Sequence, residues 1–356
     1  MPFAPTELAH PIVQAPMGGG ASTPALAAAV SAAGGLGFLA AGYRSLDAVQ
    51  ADIEAVRART ARSFGVNLFA PPQPVPDATA VARYAETLTR YGVPGPPRHD
   101  DDGWAAKLAL LAELRVPVVS VTFGCPAPPE VAALHAAGCA LWVTVTTPGE
   151  ARVAQAAGAD ALVVQGVEAG GHRATFDDSA PVDLGLLAAL QLVAAASDLP
   201  LIATGGLATG RGVAAVLAAG AAAAQLGTAF MLAPEAATPP AHRAAVGGTG
   251  ETGLTRAFTG RTARGIINAF QREHTASAPL GYPDVHHATA PLRAAARAAD
   301  DAEGFNLWAG QAHALAEARP AGELVTTLAA EARAALVSAA GGTPRPPRSG
   351  ADRESP

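Results

Sequence analysis

The fold of this chain is decided by residues 161–228, which read ALVVQGVEAGGHRATFDDSAPVDLGLLAALQLVAAASDLPLIATGGLATGRGVAAVLAAGAAAAQLGT. The stretch holds three short apolar runs, at 161–165, 201–204 and 223–226, and an Ala-rich segment of helical character precedes the second and the third. Continuous apolar runs of this length are typical of parallel strands that are buried on both faces. The stretch therefore predicts strands that alternate with helices in a parallel sheet.

The same pattern continues outward from this stretch over most of the chain. Candidate strands lie at 12–15, 37–40, 63–68, 118–121, 141–145, 161–165, 201–204 and 223–226. Candidate helices lie at 24–33, 45–58, 77–90, 105–114, 128–137, 148–157, 184–196 and 209–219. Eight strands that alternate with helices predict an α/β fold, a (β/α)8 TIM barrel, with an open doubly wound sheet as the alternative.

The character of the sequence changes after Pro234, where polar residues become more frequent. Two Ala-rich helical patterns follow, at about 291–302 and 307–339. We therefore expect a barrel domain over 1–234, a smaller and mainly helical cap over 235–340 that packs at the barrel mouth, and a disordered tail over 341–356.

Composition excludes several classes of function. The chain has 356 residues, of which 50% are hydrophobic, with 24 Lys+Arg against 30 Asp+Glu, so it lacks the basic excess that nucleic-acid binding requires. Its two cysteines make no disulfide scaffold, and His286 and His287 lack further ligands at metal-binding spacing, so we expect no metal. No secretion signal or membrane span is predicted, and we expect a cytoplasmic monomer or homodimer.

Glycine-rich turns follow the seventh and eighth candidate strands. The first turn contains Gly205 and Gly206, and the second comprises Gln225, Leu226, Gly227 and Thr228. In (β/α)8 barrels the phosphate site is typically built at these two positions, where backbone N–H groups and the following helix N-terminus bind an anion. We interpret the turns as a phosphate site; the alternative is that the glycines only permit tight turns.

The loop after the sixth strand reads QGVEAGGH at 165–172. Gln165 could hydrogen-bond a planar heterocycle, Gly170 and Gly171 could admit a cofactor against backbone, and His172 could act as a base near neutral pH. A solvated or structural histidine is the alternative for His172.

Two further strand ends complete the candidate site. The backbone of Ala15, Pro16 and Met17 could edge a flat ring, and Asn67 could supply an amide, although a Gly-rich loop and a strand-capping Asn explain these residues almost as well. Cys125 follows the fourth strand without a flanking base, so we expect it to line the site without reacting.

Together these motifs resemble the FMN-dependent nitronate monooxygenase family, formerly called 2-nitropropane dioxygenase. The resemblance is carried by QAPM at 14–17, GVNL at 65–68, TFGCP at 122–126, QGVEAGGH at 165–172, TGG at 204–206 and QLGT at 225–228, and further along by FTGRTARG at 258–265 and WAGQ at 308–311.

The resemblance implies an oxidoreductase whose FMN phosphate is held by Gly206 and residues 225–228, with the flavin ring near residues 15–17. Asn67, Gln165 and Gly170 match further FMN-contacting positions, and His172 matches the catalytic histidine. The implied reaction is the oxidation of a small alkyl nitronate, and of a nitroalkane where the enzyme accepts one, by O2 to a carbonyl compound and nitrite.

Two alternatives stay open from the sequence. Flavin-dependent enoyl-acyl-carrier-protein reductases and related NAD(P)H:quinone reductases share the EAGGH segment, but their first motif usually reads QGGM where this chain has QAPM at 14–17. A catalytically silent flavin-binding barrel is the second alternative, and the imidazole of His172 on the catalytic loop argues against it.

Overall fold

The structure is a computed structural model that describes residues 3–72 and 75–341 of the chain. Its strands in chain order are β1 (Ile12–Gln14), β2 (Phe38–Ala40), β3 (Gly65–Phe69), β4 (Val118–Thr122), β5 (Ala140–Val145), β6 (Ala161–Gln165), β7 (Gly171–His172), β8 (Leu201–Thr204), β9 (Ala223–Leu226), β10 (Thr252–Thr255) and β11 (Ala263–Ile266). Its helices are α1 (Pro24–Ala32), α2 (Leu46–Arg57), α3 (Ala78–Thr87), α4 (Trp104–Glu113), α5 (Pro128–Ala136), α6 (Pro148–Ala157), α7 (Leu186–Ala194), α8 (Gly210–Ala218), α9 (Pro240–Val246), α10 (Ala269–His274), α11 (Asp284–Ala298) and α12 (Ala321–Ala340). The tail expected at 341–356 lies, apart from Gly341, outside the described residues.

Eight of the described strands form one parallel sheet in the order β1-β9-β8-β6-β5-β4-β3-β2. A parallel bridge between Val13 and Leu36 joins β1 to the segment that leads into β2, with Gln14 N donating to Leu36 O at 2.9 Å and Leu36 N donating to Ile12 O at 3.0 Å. The first and last strands of the sheet are thus neighbours, and the sheet closes on itself. The (β/α)8 barrel is confirmed, and the open doubly wound alternative is wrong.

The interior of the barrel changes from apolar to polar along the strands. At the end where the strands begin, large side chains such as Phe38, Trp142 and Ile202 are fully buried in one cluster inside the ring. Because side chains alternate along a strand, the inward positions further along β3, β4, β5, β6, β8 and β9 fall on Asn67, Thr122, Thr144, Gln165, Thr204 and Gln225. The C-terminal ends of the strands therefore surround a polar floor.

The eight helices predicted before Pro234 occur within a few residues of their expected bounds. Two helices of the chain, α3 and α12, take unexpected places. α3 packs on α11 and contributes Val81 and Tyr84 to a cluster with Phe258 and Phe270, outside the barrel layer. α12 packs on α8 and α1, in the position that the helix following β9 occupies in a regular barrel. The division at residue 234 stays a proposal, and within 235–340 it is α12 that adjoins the barrel layer.

The segment between β9 and α12 also differs in detail from the expected pair of helices. The first helix begins earlier, at Asp284, and the second begins only at Ala321, directly after Pro320. Residues 307 and 308 pair with β11 instead, since Leu307 O accepts from Ile266 N at 2.8 Å and Trp308 bridges to Gly265, and a short 3-10 helix follows at His313–Leu315.

A small antiparallel sheet was not expected from the sequence. It has the order β10-β11-β7 and pairs Ala263 with His172. It therefore ties the loop after β6 to the segment that follows the barrel. Among the described residues no helix combines the length and apolar composition needed to cross a bilayer.

Candidate active site

A cavity of about 390 Å³ lies at the C-terminal ends of the barrel strands. This is where (β/α)8 enzymes place their active sites, and the volume is in the range of small-molecule pockets. Apart from Cys125, the residues predicted for the site all line this cavity, namely Ala15, Pro16, Met17, Asn67, Gln165, Gly170, Gly171, His172, Gly205, Gly206, Gln225, Leu226, Gly227 and Thr228. The structure therefore brings together residues that are up to 213 positions apart in sequence.

Three polar side chains in the floor of the cavity have no hydrogen-bond partner in the described protein. Thr144, Thr204 and Gln225 line the cavity at 7%, 8% and 7% exposure, and none makes a side-chain hydrogen bond within the described residues. Their polar atoms are open to the cavity, where a ligand can reach them. These groups therefore fit a polar ligand that completes their hydrogen bonds.

Asn67 and Gln165 are already partly engaged by the protein. Asn67 Nδ2 donates to Ser120 O at 3.2 Å, which fixes the orientation of the amide and leaves Oδ1 as an acceptor without a described donor. Gln165 Oε1 accepts from Arg173 Nη1 at 3.0 Å and from Ala174 N at 2.9 Å, and its Nε2 donates to His172 O at 3.0 Å. Gln165 thus anchors the loop that carries His172 and keeps one N–H free for a ligand.

The two glycine-rich turns offer backbone donors to the cavity. Gly205 and Gly206 have φ values of 122° and 65°, which favour glycine. The N–H groups of Gly205, Gly206, Gly227 and Thr228 find no acceptor among the described residues. Convergent free amides of this kind are suited to the oxygens of a phosphate.

The helix after the first turn does not take part as expected. α8 begins four residues beyond Gly206, and its first N–H donates to Glu331 Oε2 at 3.1 Å, while Gly212 N donates to Thr209 Oγ1 at 3.2 Å. The expectation that the N-terminus of α8 would face the phosphate is therefore wrong, because α12 places a carboxylate there. The loop amides remain as the anion-binding groups.

The edge formed by Ala15, Pro16 and Met17 is mostly apolar. Ala15 N donates to Leu226 O at 2.8 Å and Met17 N donates to Ser22 Oγ at 2.9 Å, and Pro16 has no N–H. Since these donors are used within the protein, this edge presents apolar surface, which suits the flat face or edge of a ring.

Gly170 and Gly171 differ in the reason for which glycine is required. A Cβ on Gly170 would lie 2.5 Å from the backbone of Ala309 and Gly310, so Gly170 permits close packing of the 308–311 segment. Gly171 has a φ of 75° and open space where a Cβ would lie. Only Gly171 therefore leaves room beside the backbone for a ligand.

His172 lies at the edge of the cavity among aromatic rings. Its ring centroid is 5.8 Å from that of Phe123, 6.0 Å from Tyr282 and 5.7 Å from Trp308, and its Nε2 is 2.9 Å from Thr259 Oγ1. Burial lowers the pKa of His172 to about 3, with a further contribution from the positive charges of Arg261 and Arg293. The imidazole is therefore neutral near pH 7, and one of its ring nitrogens carries a free lone pair.

One face of α11 lines the cavity and was not predicted from the sequence. His286, Ala290, Arg293 and Arg297 all line the cavity, and their spacing of four, three and four residues places them on one side of the helix. That spacing was the available signal, but His286 was considered only as a metal ligand and the two arginines were not considered.

The α11 face makes the cavity positively charged. Arg293 is 5% exposed, and its guanidinium donates to Thr289 Oγ1 at 3.0 Å, to Asn306 Oδ1 at 3.3 Å and to His286 O at 2.9 Å. None of these partners is a carboxylate, and no Asp or Glu stands among the described residues that line the cavity. Burial, with the nearby charge of Arg297, lowers the pKa of Arg293 to about 10, so it remains cationic at neutral pH.

Cys125 does not take the place expected of it. It is not among the residues that line the cavity, and it packs against the main hydrophobic core. Burial, with the charge of Glu150, raises the pKa of its thiol to about 12. Cys125 is therefore neither a lining residue nor a thiolate at neutral pH.

The fold and the cavity define a (β/α)8-barrel enzyme with its site at the C-terminal ends of the strands. The sequence model of the family described as nitronate monooxygenase matches residues 4–331. The chain is 42% identical over 339 residues to a nitronate monooxygenase of Pseudomonas aeruginosa, covering 91% of this chain and 96% of that protein. It is 40% identical over 341 residues to one of Paraburkholderia phytofirmans, covering 92% and 93%.

A solved structure supports the same family assignment. The nitroalkane oxidase from Streptomyces ansochromogenes superimposes with a TM-score of 0.91 at 50% identity, covering 94% of this chain and 98% of that one. The chain belongs to the nitronate monooxygenase family and is an oxidoreductase, which confirms the resemblance carried by its motifs.

Proposed function

We propose that this protein is an FMN-dependent monooxygenase that oxidises alkyl nitronates, and neutral nitroalkanes where it accepts them, by O2 to carbonyl compounds and nitrite. The observation that carries the proposal is the cavity itself, which combines a neutral histidine, the buried Arg293 and the partly buried Arg297, with no carboxylate among its described lining residues, in a chain of this family. A nitronate is a small anion, and its negative charge complements such a cavity.

FMN fits the groups that the cavity presents. The free amides of Gly205, Gly206, Gly227 and Thr228 suit the phosphate, and the side-chain amide of Gln225, which has no described hydrogen-bond partner, suits a polar edge of the cofactor. Bound FMN would supply the redox chemistry, taking electrons from the substrate and passing them to O2. The absorption spectrum of the purified protein tests this assignment, with mass analysis of the released cofactor. Absence of flavin bands, or release of FAD, would overturn it.

His172 is the residue that we assign to proton transfer. A neutral nitroalkane must lose the proton on the carbon that bears the nitro group before it becomes a nitronate, and the neutral imidazole can accept that proton. The bonding electron pair stays on the substrate, which becomes the anion. The arginines of α11 then face an anionic substrate, and His172 carries the proton until it is lost to solvent.

The first prediction concerns His172→Ala. We expect this variant to keep its flavin and to lose about 10²- to 10⁴-fold of kcat/KM with a neutral nitroalkane, the usual contribution of a general base. With a preformed nitronate, which needs no deprotonation, the loss should be much smaller. Equal turnover of the nitroalkane by wild type and variant would contradict the assignment of His172.

A paired assay tests the reaction as a whole. With an alkyl nitronate and no NAD(P)H, we expect O2 consumption and release of nitrite. Rapid oxidation of NADPH without turnover of the nitronate would instead support a flavin-dependent reductase on the same fold. A flavin-containing protein inactive in both assays would support a catalytically silent barrel.

A further inference from the structure

We propose that Thr259 is a positioning residue that holds His172 in the tautomer protonated on Nε2, so that Nδ1 is the atom that accepts the substrate proton. The inference deepens the proposed function and rests on His172 acting as the base. It assigns a role to a hydroxyl in the FTGR segment at 258–261, which the sequence analysis used only as a mark of resemblance.

The direction of the hydrogen bond follows from the neighbours of the hydroxyl. Thr259 Oγ1 lies 2.9 Å from His172 Nε2 and 3.2 Å from the carbonyl oxygen of Arg261. A hydroxyl has one proton to donate, and a carbonyl oxygen can only accept. The proton of Thr259 therefore goes to Arg261 O, and Thr259 Oγ1 accepts the proton of His172 Nε2.

The opposite arrangement is disfavoured by burial. If the hydroxyl donated to His172 Nε2, Arg261 O would lose its one described donor, and both Thr259 and Arg261 are buried, at 2% and 5% exposure. An unpaired buried carbonyl is costly. Arg261 N also donates to Thr259 Oγ1 at 3.4 Å, and the second lone pair of that oxygen remains to accept from His172 Nε2.

Hydrogen bonds of the backbone on both sides of Thr259 hold its side chain next to that of His172. β11 pairs with β7 at Ala263 and His172, and Arg173 N donates to Thr262 O at 2.8 Å. On the other side of the turn, Phe258 O accepts from Thr289 Oγ1 of α11 at 2.6 Å. The position of Thr259 relative to the imidazole is therefore fixed by strand pairing and by α11.

The remaining nitrogen of His172 is left for the substrate. Nδ1 has no hydrogen-bond partner among the described residues, and His172 lines the cavity. When Nδ1 takes the proton from the carbon of a nitroalkane, the C–H bonding pair remains on the substrate as the nitronate. The resulting imidazolium keeps its Nε2–H bond to Thr259, so one hydrogen bond serves the ring in both protonation states.

The variants Thr259→Val and Thr259→Ser separate this role from packing. Valine keeps the shape of threonine and removes the hydroxyl, whereas serine keeps the hydroxyl and removes a methyl group. We expect Thr259→Val to lose at least about tenfold in kcat with a neutral nitroalkane, within the total of about 10²- to 10⁴-fold for the base. Turnover of a preformed nitronate should change little, and Thr259→Ser should retain most of the activity with both substrates.

A second measurement reads the tautomer without turnover. In ¹⁵N-histidine-labelled holoenzyme, with the His172 signals assigned by their loss in His172→Ala, we expect Nε2 to be protonated and Nδ1 to be unprotonated in wild type and in Thr259→Ser. In Thr259→Val this preference should weaken or reverse. Flavin content and thermal unfolding of each variant report whether it is folded.

The outcomes distinguish the inference from the proposed function. Protonated Nδ1 in the wild type, or full nitroalkane turnover by folded Thr259→Val, overturns the role of Thr259 while the function of His172 stands. Failure of the wild type to release nitrite from any nitronate overturns the proposed function, and the ¹⁵N spectrum still decides the tautomer. If Thr259→Val does not fold, the wild-type spectrum alone supports or contradicts the inference.

Discussion

At the scale of one residue, the side-chain amide of Gln225 indicates a bound ligand, because it has no hydrogen-bond partner among the described residues. Gln225 is 7% exposed, lines the cavity and makes no side-chain hydrogen bond among the described residues. Replacing it by leucine therefore removes no described hydrogen bond from the apoprotein, whereas loss of a hydrogen bond to a bound ligand costs about 0.5–1.5 kcal/mol. Gln225→Leu should therefore leave the apoprotein as stable as wild type, or more so, and weaken FMN binding about 2- to 10-fold.

Titration of the apoprotein with FMN and thermal unfolding without FMN measure the two effects of Gln225→Leu separately. Opposite signs for stability and affinity are the expected result. A less stable apoprotein with unchanged FMN affinity would mean that Gln225 serves the fold and not the cofactor.

Arg293 is the residue whose charge should distinguish anionic from neutral substrates. It lines the cavity, remains cationic and has no carboxylate partner among its hydrogen bonds. Arg293→Gln should raise KM for a nitronate by about tenfold or more, since hydrogen bonds to charged groups contribute about 1.5–3 kcal/mol. KM for the uncharged nitroalkane should change less.

Steady-state kinetics with both substrates measure the difference at Arg293. Arg319→Gln is the matched control, because it removes the same charge from an exposed arginine that pairs with Glu317. If Arg293→Gln altered KM equally for the charged and the neutral substrate, its effect would be steric and the anion-binding role would fail.

The sequence predicted the site residues at the ends of the barrel strands better than the site residues contributed by the segment after the barrel. Asn67, Gln165 and Gln225 lie in the last part of three predicted strands, and parallel strands bring such ends to one edge of the barrel. Arg293 and Thr259 could not be found in this way, because their approach to the cavity depends on where α11 and β11 lie. That placement is set by contacts between segments that are distant in sequence.

At the scale of elements, the sequence predicted where helices occur but not which of them surround the barrel. α3 and α12 both have an apolar face, yet α3 packs on α11 and α12 packs on α8 and α1. The apolar face of a helix is the same whether it covers the barrel or the cap. Only the closure of the ring, which needs a helix between α8 and α1, decides the place of α12.

The contact between α8 and α12 gives a prediction with an internal control. A Cβ on Gly210 would lie 2.2 Å from Glu331 Cβ and 2.8 Å from the backbone of α12, whereas a Cβ on Gly212 would make ordinary contacts at 3.4 Å or more. Gly210→Ala should therefore destabilise the protein by about 1–3 kcal/mol, the usual cost of overpacking. Gly212→Ala should be neutral or stabilise by up to about 1 kcal/mol.

Urea unfolding of the two α8 variants measures this difference, since they add the same methyl group to the same helix two residues apart. Equal stability of the variants would mean that α12 does not approach α8 as closely as the structure describes.

At the scale of the whole molecule, the charge of the chain and the charge of the cavity have opposite signs. The chain has a formal net charge of −6, whereas the charged side chains among the described lining residues are Arg293 and Arg297. The overall composition argues against nucleic-acid binding, but it does not reveal that the cavity is positively charged. Such a cavity attracts a small anion while the outer surface stays acidic.

Three histidines that line the cavity should also determine how the whole molecule responds to acid. Burial is the main cause that lowers the pKa of His172 to about 3, of His242 to about 4 and of His286 to about 2. In the unfolded chain each has a pKa near 6.5, so on acidification the unfolded state binds these protons first. The stability that they contribute is fully present above about pH 6.5 and is lost as the pH falls toward the folded values.

The free energy of unfolding should therefore decrease between pH 6.5 and pH 5, by at most about 1.4 kcal/mol per pH unit for each histidine. His242→Gln isolates one of them, because His242 is 7% exposed and its Nε2 donates to Trp308 O at 3.0 Å, a bond that a glutamine amide can replace. We expect the slope of the free energy of unfolding against pH to be smaller in His242→Gln by up to about 1.4 kcal/mol per pH unit, which corresponds to one proton. An unchanged slope would mean that His242 is protonated in the folded protein. The cavity would then carry one more positive charge than a neutral His242 gives it.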